Sequence, residues 1–387
     1  MKPTRLPLFL IAFLVGSDEF LLGPILTPIG TDLGVPPERV ALFVGAYALP
    51  LAFLAPVLGR LSDRHGRRRV LVPSMFLFAL GSLATALAGS FEVALATRVI
   101  TGLGAAGMLP VAFAIAADSD DHGSAAIAAV QSGLTLGIIA SPAYGAWITA
   151  NLGWQAAFAT LTAATFITIP WALRLPKGTG NRVSGLGIRT SLRTPGALPG
   201  ILAMGLGLGG AVGIFALTGE RLRDLTATGT EGIGLVLAGF GVLTLLGNLA
   251  MPWLERAVRS RLLLVSLCFG GVAAGIVVLF GFEPGLAVSL VALAAWAVLG
   301  GAGAPALQAH IAGLSAESRG LLMALASSAL NLGTAIWSAV ASDLFAIGPS
   351  WIAMQAVMTI GMAIFLLNAP GRRQRVGETT DLSGASG

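Results

Sequence analysis

Long apolar stretches separated by short polar turns make up most of this chain. Twelve stretches of about 20 residues are apolar enough to cross a bilayer as helices. They cover residues 8–29, 40–59, 70–89, 93–116, 124–149, 154–173, 196–217, 231–251, 261–281, 286–310, 320–341 and 349–368. The pattern predicts an all-α membrane protein with twelve transmembrane helices.

One long polar gap divides these spans into two sets of six. Residues 174–195 are basic and rich in Gly, Ser and Thr, which predicts a linker between a bundle of residues 1–173 and a bundle of residues 196–368. Residues 369–387 are a polar tail that we expect to be disordered. Three short segments recur in the same order in both halves, among them "SGLTLG" in span 5 and "SALNLG" in span 11. The recurrence predicts two pseudo-symmetric six-helix bundles.

Composition and charge agree with a polytopic membrane protein. Hydrophobic residues make up 55% of the 387 residues and charged residues only 11%, against about 25% in soluble domains. With the amino terminus in the cytoplasm, 19 of the 23 Lys and Arg residues lie in inner segments and three in outer loops. Because basic loops stay in the cytoplasm, both termini are predicted to be cytoplasmic in a multi-pass protein of the cytoplasmic membrane. The net charge of +5 therefore reflects topology and does not indicate nucleic-acid binding.

The amino terminus resembles a signal peptide but is interpreted as a retained helix. "MKPTRLPLFLIAFLVG" has a basic start and an apolar run, as a cleaved signal would. It has no obvious small-residue cleavage site, and its apolar run continues to about Ile29. We therefore favour a first transmembrane helix over a cleaved signal.

Catalytic and metal-site patterns are missing from the sequence. It contains no HExxH, GxSxG or P-loop pattern, its three His are dispersed, and Cys268 is its single cysteine. We expect no enzyme activity, no metal and no cofactor. The expected energy source is a proton gradient.

The most specific motif is "GRLSDRHGRRR", residues 59–69, in the predicted cytoplasmic turn between spans 2 and 3. It resembles the signature loop of the major facilitator superfamily, which implies the major facilitator fold and transport by alternating access. The resemblance implies a conformational latch between the two halves, with the start of span 11 near Arg319 as its docking surface. The latch residues would be Gly59, Asp63, Arg64, Gly66, Arg67 and Arg68.

Three further motifs resemble the drug:proton antiporters of this superfamily. They are "DEFLLGPILTPIGTDLG" (residues 18–34), "RVITGLGAAG" (98–107) and "GIIASPAYGA" (137–146). Ser141 and Ala146 stand where that family usually has glycine. Small residues also recur every fourth position in span 5, so ordinary close helix packing is the alternative explanation of the third motif. The residues of this antiporter-motif helix are Gly133, Gly137, Ser141, Pro142 and Gly145.

Asp18 and Glu19 lie side by side within the first apolar span, where a carboxylate is costly. Successive helix positions point about 100° apart, so the two acids face different surroundings. On a continuous helix, Glu19 shares a mostly small-residue face with Ala12, Gly16, Gly23 and Leu26, and we expect it to face the cavity. Arg98 is the only arginine or lysine in the interior of a span and needs an acidic partner. Glu19 is predicted to couple transport to protons with support from Asp18; a purely structural ion pair with Arg98 is the alternative.

These observations predict proton-coupled efflux of a small amphipathic or drug-like molecule. The alternative is a sugar or metabolite exporter or symporter on the same fold. Span 7 has almost no polar side chains, which favours an apolar or amphipathic substrate. We expect a monomer whose partners are its substrate and the lipid bilayer. The residues predicted to line the substrate cavity are Thr27, Tyr47, Phe113, Asn331 and Trp337.

Overall fold

All regular secondary structure in the described part of the chain is helical. The computed structural model describes residues 4–118, 123–176, 188–258, 260–315 and 317–369. The first helices are α1 (Arg5–Phe20), α2 (Leu26–Leu33), α3 (Pro37–Val40), α4 (Leu42–His65), α5 (Arg67–Ala86), α6 (Phe91–Ala117), α7 (Gly123–Leu152) and α8 (Trp154–Ala172). The remaining helices are α9 (Ile188–Leu192), α10 (Ala197–Ala203), α11 (Gly209–Phe215), α12 (Thr218–Thr226), α13 (Thr230–Ala257), α14 (Arg261–Gly281), α15 (Leu286–Ala312), α16 (Arg319–Ile347) and α17 (Ser350–Asn368). A π-helical turn, Met204–Leu208, joins α10 to α11.

Ten helical segments of the described residues are long and apolar enough to cross a membrane. They correspond to the predicted spans 2 to 5 and 7 to 12. Span 6 is α8, which carries several threonines. The hydroxyls of Thr162, Thr165 and Thr168 each donate to a backbone carbonyl one turn earlier, so these polar groups are satisfied within the helix.

The first span is broken, which corrects the prediction of one continuous helix. Helix α1 ends at Phe20 and α2 begins at Leu26. Pro24 and Pro28 have no N–H, so the carbonyls four residues before them lose their helical partners. The small-residue face that was predicted for Glu19 therefore ends at Phe20. Gly23 and Leu26 do not continue it, because they lie beyond the end of α1.

The predicted linker is only partly described. Residues 177–187, and the predicted tail from residue 370 onward, lie outside the described residues. The predicted linker also contains a short helix, α9. Ser191 of α9 is buried and donates a hydrogen bond of 3.0 Å to Ser318, just before α16.

Helix contacts repeat between the two halves. α1 packs against α7 as α11 packs against α16, and α4 against α6 as α13 against α15. The pairs α5–α6 and α5–α8 have counterparts in α14–α15 and α14–α17. This repetition is the pseudo-symmetry that the recurring sequence segments predicted.

The two halves meet through α4 with α16 and α7 with α13. We call the side of the bundle that carries Gly66 the amino-terminal side, and the side that carries Gly153 the distal side. Close contacts across the halves include Gly45 against Ser338 and Gly234 against Pro142. All of these residues lie in the distal parts of their helices, so the halves are held together at their distal ends.

Candidate functional site

The centre of the amino-terminal half contains a buried ion pair. The two terminal guanidinium nitrogens of Arg98 on α6, Nη1 and Nη2, donate to the carboxylate of Asp18 on α1, at 2.8 Å and 2.7 Å. Neither side chain is exposed. The bidentate geometry supplies the strong, charge-assisted hydrogen bonds that a buried arginine requires. The structure therefore brings Asp18, and not Glu19, against Arg98.

Aromatic rings enclose this pair. The Arg98 guanidinium lies 4.8 Å from the ring centroid of Tyr47 and 5.5 Å from that of Phe158, distances at which ring faces attract cations. Gly102, one turn after Arg98, lets α4 approach because any side chain there would collide with the Tyr47 carbonyl. Tyr47, predicted to line the substrate cavity, instead covers the ion pair.

Glu19 lies beside the ion pair and points into a different space. Its side chain is partly buried and lines a small cavity with an empty volume of about 310 Å³. The cavity is lined by Glu19, Phe20, Leu22, Gly23, Val44, Val212, Phe215 and Ala216. Among the described residues, Glu19 makes no ion pair. Of the two neighbouring acids, Asp18 is paired with Arg98, whereas Glu19 has no cation bonded to it among the described residues.

A larger cavity lies mostly within the carboxyl-terminal half. Its empty volume is about 820 Å³, including the part open to solvent, within the usual range for small-molecule sites. Helix α11 and its π-helical turn, α13 and α15 supply most of the wall, and the amino-terminal half adds Phe20 and Ile138. Thr244 and Asn248 are its hydroxyl and amide side chains. The wall is otherwise apolar except for the indole N–H of Trp296.

An aromatic cluster forms one wall of the larger cavity. The centroid of Phe215 lies 4.6 Å from that of Phe240 and 5.9 Å from that of Trp296. Phe20, the residue after Glu19, contacts Phe215 at 5.5 Å from across the halves. Phe20, Val212 and Phe215 line both cavities. These three side chains separate Glu19 from the larger cavity.

The residues predicted to line the substrate cavity do not form the wall of the larger cavity. Thr27 hydrogen-bonds Glu220 at the distal side, and the Asn331 amide donates to the Ser327 carbonyl on its own helix. Trp337 packs beside Gly213. Phe113 lies on α6 and is not part of this wall either. The prediction weighed polar and aromatic residues without knowing which helices face each other, so none of its five residues belongs to this wall.

The signature loop is bonded within the amino-terminal half. Arg67 donates to Asp63, and its Nε lies 3.0 Å from the carboxylate of Asp118 at the end of α6. Arg68 donates to the carbonyl of Leu173 at the end of α8. Arg64 is exposed. Since Arg67 and Arg68 begin α5, these bonds join span 3 to spans 2, 4 and 6 at the amino-terminal side.

The two glycines of this loop differ in their surroundings. Gly66 has φ +102°, a conformation that favours glycine, and it makes the turn between α4 and α5. A side chain at Gly59 would meet open space. The turn conformation therefore explains the glycine at position 66, whereas no contact in this conformation requires one at position 59.

The antiporter-motif helix, α7, packs against α1. A methyl group at Gly133 or Gly137 would collide with the carbonyl of Phe9 or Phe13, and one at Gly145 with the side chain of Leu21. Ser141 is fully buried. Pro142 of α7 contacts Gly234 of α13, so α7 also takes part in the contact between the two halves. Close packing by small residues is therefore the physical role that the geometry gives this motif.

Sequence comparison identifies the family. Residues 8–222 match the Major Facilitator Superfamily. The chain belongs to the Major Facilitator Superfamily.

Individual relatives support this membership along the whole chain. The chain is 26% identical to the inner membrane transport protein YdhP of Escherichia coli K12, with 94% of each chain covered. It is 30% identical to a chloramphenicol resistance protein of Streptomyces lividans, over 67% of this chain and 71% of that one. The fold resembles a crystal structure of a D-xylose-proton symporter with TM-score 0.76 at 16% identity, covering 95% of this chain and 97% of that chain. The predicted all-α major facilitator fold and the multi-pass membrane transporter class are confirmed.

Within this superfamily fold, three aromatic residues of the cavity had little signal in the sequence. Phe20 directly follows Glu19 in the antiporter-like motif of span 1. Phe215 and Phe240 stand alone in apolar stretches and look like ordinary lipid-facing or core residues. Only the tertiary packing of their helices brings the rings of Phe215 and Phe240 together with Trp296.

Proposed function

We propose that the chain exports a small, largely apolar aromatic molecule in exchange for protons by alternating access. In the predicted orientation, the amino-terminal side faces the cytoplasm. Because the halves are closed at their distal ends, this conformation is the one that takes up substrate from the cytoplasm or the inner leaflet. The observation that carries the proposal is the placement of Glu19 next to the aromatic wall of the larger cavity.

Glu19 is the proposed coupling acid. It makes no ion pair among the described residues, whereas Asp18 is held by Arg98. The Phe20–Phe215 contact lies between Glu19 and the larger cavity. A substrate that displaces these rings changes the surroundings of Glu19, and protonation of Glu19 removes the charge next to the apolar wall. Each event therefore affects the other, as proton exchange requires.

The wall of the larger cavity supports an aromatic substrate with few polar groups. Phe215, Phe240 and Trp296 offer ring faces and edges for stacking. Thr244 and Asn248 can orient one polar group of the substrate. The name of the Streptomyces lividans relative, a chloramphenicol resistance protein, also supports a drug-like molecule.

Sugar transport is the second candidate, and the name of the D-xylose-proton symporter favours it. A sugar needs a hydrogen-bond partner for nearly every hydroxyl, since an unpaired polar group is costly to bury. Thr244, Asn248 and the indole N–H of Trp296 supply too few partners. The wall of the cavity therefore supports the drug-like substrate over the sugar.

Reconstituted vesicles containing a pH-sensitive dye test the proposal. Chloramphenicol and xylose are the two probes. For the unmodified protein, we expect chloramphenicol and not xylose to drive proton movement. Glu19→Gln is expected to reduce this movement at least tenfold, because the amide cannot exchange a proton.

Glu92→Gln is the matched control, since Glu92 is an exposed carboxylate in the first turn of α6. It should leave proton movement unchanged. Proton movement by Glu19→Gln at the parent rate would reject Glu19 as the coupling acid. Movement driven by xylose alone would reject the drug-like substrate.

A further inference from the structure

The break in the first span leaves backbone polar groups without helical partners. In a continuous helix, the N–H of Thr27 would donate to the carbonyl of Gly23, and the carbonyl of Pro24 would accept from residue 28. Residue 28 is proline and has no N–H, and Thr27 stands in the first turn of α2. The free groups lie at the distal side, where the two halves meet.

Helix α12, between spans 7 and 8, supplies partners for these groups from the other half. Glu220 accepts from the Thr27 N–H at 3.1 Å and also from the Thr27 hydroxyl. Arg223 donates to the Pro24 carbonyl at 3.3 Å. Glu220 thus caps α2 from outside its own half, where a carboxylate is favoured by the helix amino terminus.

The contact is tight and largely dry. Glu220 is only 5% exposed, and its carboxylate lies 3.5 Å from Nε of Arg223. Burial raises the pKa of Glu220, whereas the Thr27 hydrogen bonds and Arg223 lower it. A side chain on Gly219 would collide with the carbonyl of Gly23, so the two backbones nearly touch. A buried carboxylate in such a place needs each of its partners.

We infer that Glu220 and Arg223 form the gate that closes the distal end of the transport path, by pairing with the backbone groups that the broken first span leaves free. The gate holds in the present conformation and must separate when the distal side opens. Opening exposes Glu220, Thr27 and the Pro24 carbonyl to water, which replaces the lost hydrogen bonds. The inference rests on the proposed alternating-access function and assigns these residues a positioning role in it.

Distances between spin labels test the gate without any substrate. One label pair, Val93→Cys with Ala287→Cys, reports the distal side; Val93 and Ala287 are exposed and belong to different halves. The second pair, Ala117→Cys with Ala257→Cys, reports the amino-terminal side in the same way. Both pairs are built in a Cys268→Ala background, since Cys268 is the only native cysteine.

Thr27→Val is the main variant. It keeps the shape of the side chain but removes one donor from the buried Glu220 carboxylate. We expect the ratio of distally open to distally closed molecules to rise roughly tenfold, the size expected for a lost hydrogen bond to a charged group. The distal distance should lengthen while the amino-terminal distance shortens, a reciprocal change that a purely structural role would not produce.

Thr226→Val is the matched control. Thr226 lies on α12 itself, but its hydroxyl donates to Leu222 of the same helix and not across the halves. It should leave both distances unchanged. In a Glu220→Met background, Thr27→Val should add little, because its effect acts through the carboxylate.

Arg223→Met is a second variant that should weaken the gate, because it removes one partner from Glu220 and one from the Pro24 carbonyl. The gate is rejected if Thr27→Val and Arg223→Met, both folded as judged by monodispersity in detergent, keep the parent distances. It is equally rejected if Thr27→Val has its full effect without Glu220. If either variant fails to fold, the other one decides. A reciprocal shift in a chain that moves no protons with any probe would reject the proposed function and leave the gate intact.

Discussion

At the scale of single residues, the neighbouring acids Asp18 and Glu19 lie in different surroundings. Asp18 is neutralised by a bidentate arginine beneath two aromatic rings, and Glu19 lines an open space without a bonded cation. A helical rotation of about 100° between them is enough to produce this difference. The proposed proton coupling is therefore assigned to Glu19, whereas Asp18 and Arg98 form the buried charge pair.

Removing one partner of the buried pair should be costly. Arg98→Met leaves the Asp18 carboxylate buried without a cation, and we expect the free energy of unfolding to fall by about 3 to 5 kcal/mol. The measurement is unfolding in mixed detergent micelles. The double variant Asp18→Asn with Arg98→Met removes both charges and should recover at least half of the loss.

Arg193→Met serves as the control for this experiment, because Arg193 is exposed and its charge stays in water. It should change stability by less than about 0.5 kcal/mol. A loss for Arg98→Met as small as that of the control would show that the buried pair does not stabilise the fold.

At the scale of elements, glycine placement decides how closely helices approach. Helix α7 lies against α1 because Gly133 and Gly137 leave room for the carbonyls of Phe9 and Phe13. Gly137 is also the first residue of the segment that resembles the antiporter motif. A residue of a family motif can therefore be one that close helix packing requires. Substitution by alanine distinguishes the glycines that packing requires from those where a side chain is tolerated.

Gly137→Ala should destabilise the protein, since the added methyl group would collide with the backbone of α1. Gly239→Ala is the matched control, because a methyl group there meets open space. Alanine is favoured over glycine in a helix by about 1 kcal/mol, so the control should be neutral or stabilising. Thermal unfolding in detergent measures both. Equal midpoints for the two variants would contradict the packing role of Gly137.

At the scale of the whole molecule, two repeated bundles enclose the cavities between and within them. The contacts α4–α16 and α7–α13 are counterparts of each other under the pseudo-symmetry of the two halves. In the proposed alternating-access cycle, one bundle rocks on the other while the contacts inside each bundle stay intact. The distal gate and the signature loop lie at opposite ends of this arrangement, which suits alternating closure.

The predicted orientation can be tested by labelling from one side of the membrane. A cysteine at Gly89, which is exposed at the distal side, should react with an impermeant maleimide in intact cells. A cysteine at Ala117 on the amino-terminal side should react only after the cells are opened. Both are made in the Cys268→Ala background. The reverse labelling pattern would invert the topology.

Much of this architecture follows from the sequence alone. Apolar length fixes where helices cross the bilayer, because backbone polar groups cannot remain unpaired in lipid. The basic loops predict orientation, and the eleven residues from Gly59 to Arg69 indicate the family. These features depend on local composition and spacing, so they are readable without a fold.

Tertiary structure alone decided the rest. Whether Arg98 meets Asp18 or Glu19 depends on how α6 is rotated against α1, and periodicity within one helix does not contain that angle. The aromatic wall gathers residues from four separate helices, and the gate joins Thr27 to a residue 193 positions away. The two prolines that break the first span are visible in the sequence. Only the tertiary structure shows that Glu220 and Arg223 of α12, in the other half, supply the hydrogen-bond partners that the broken backbone leaves free.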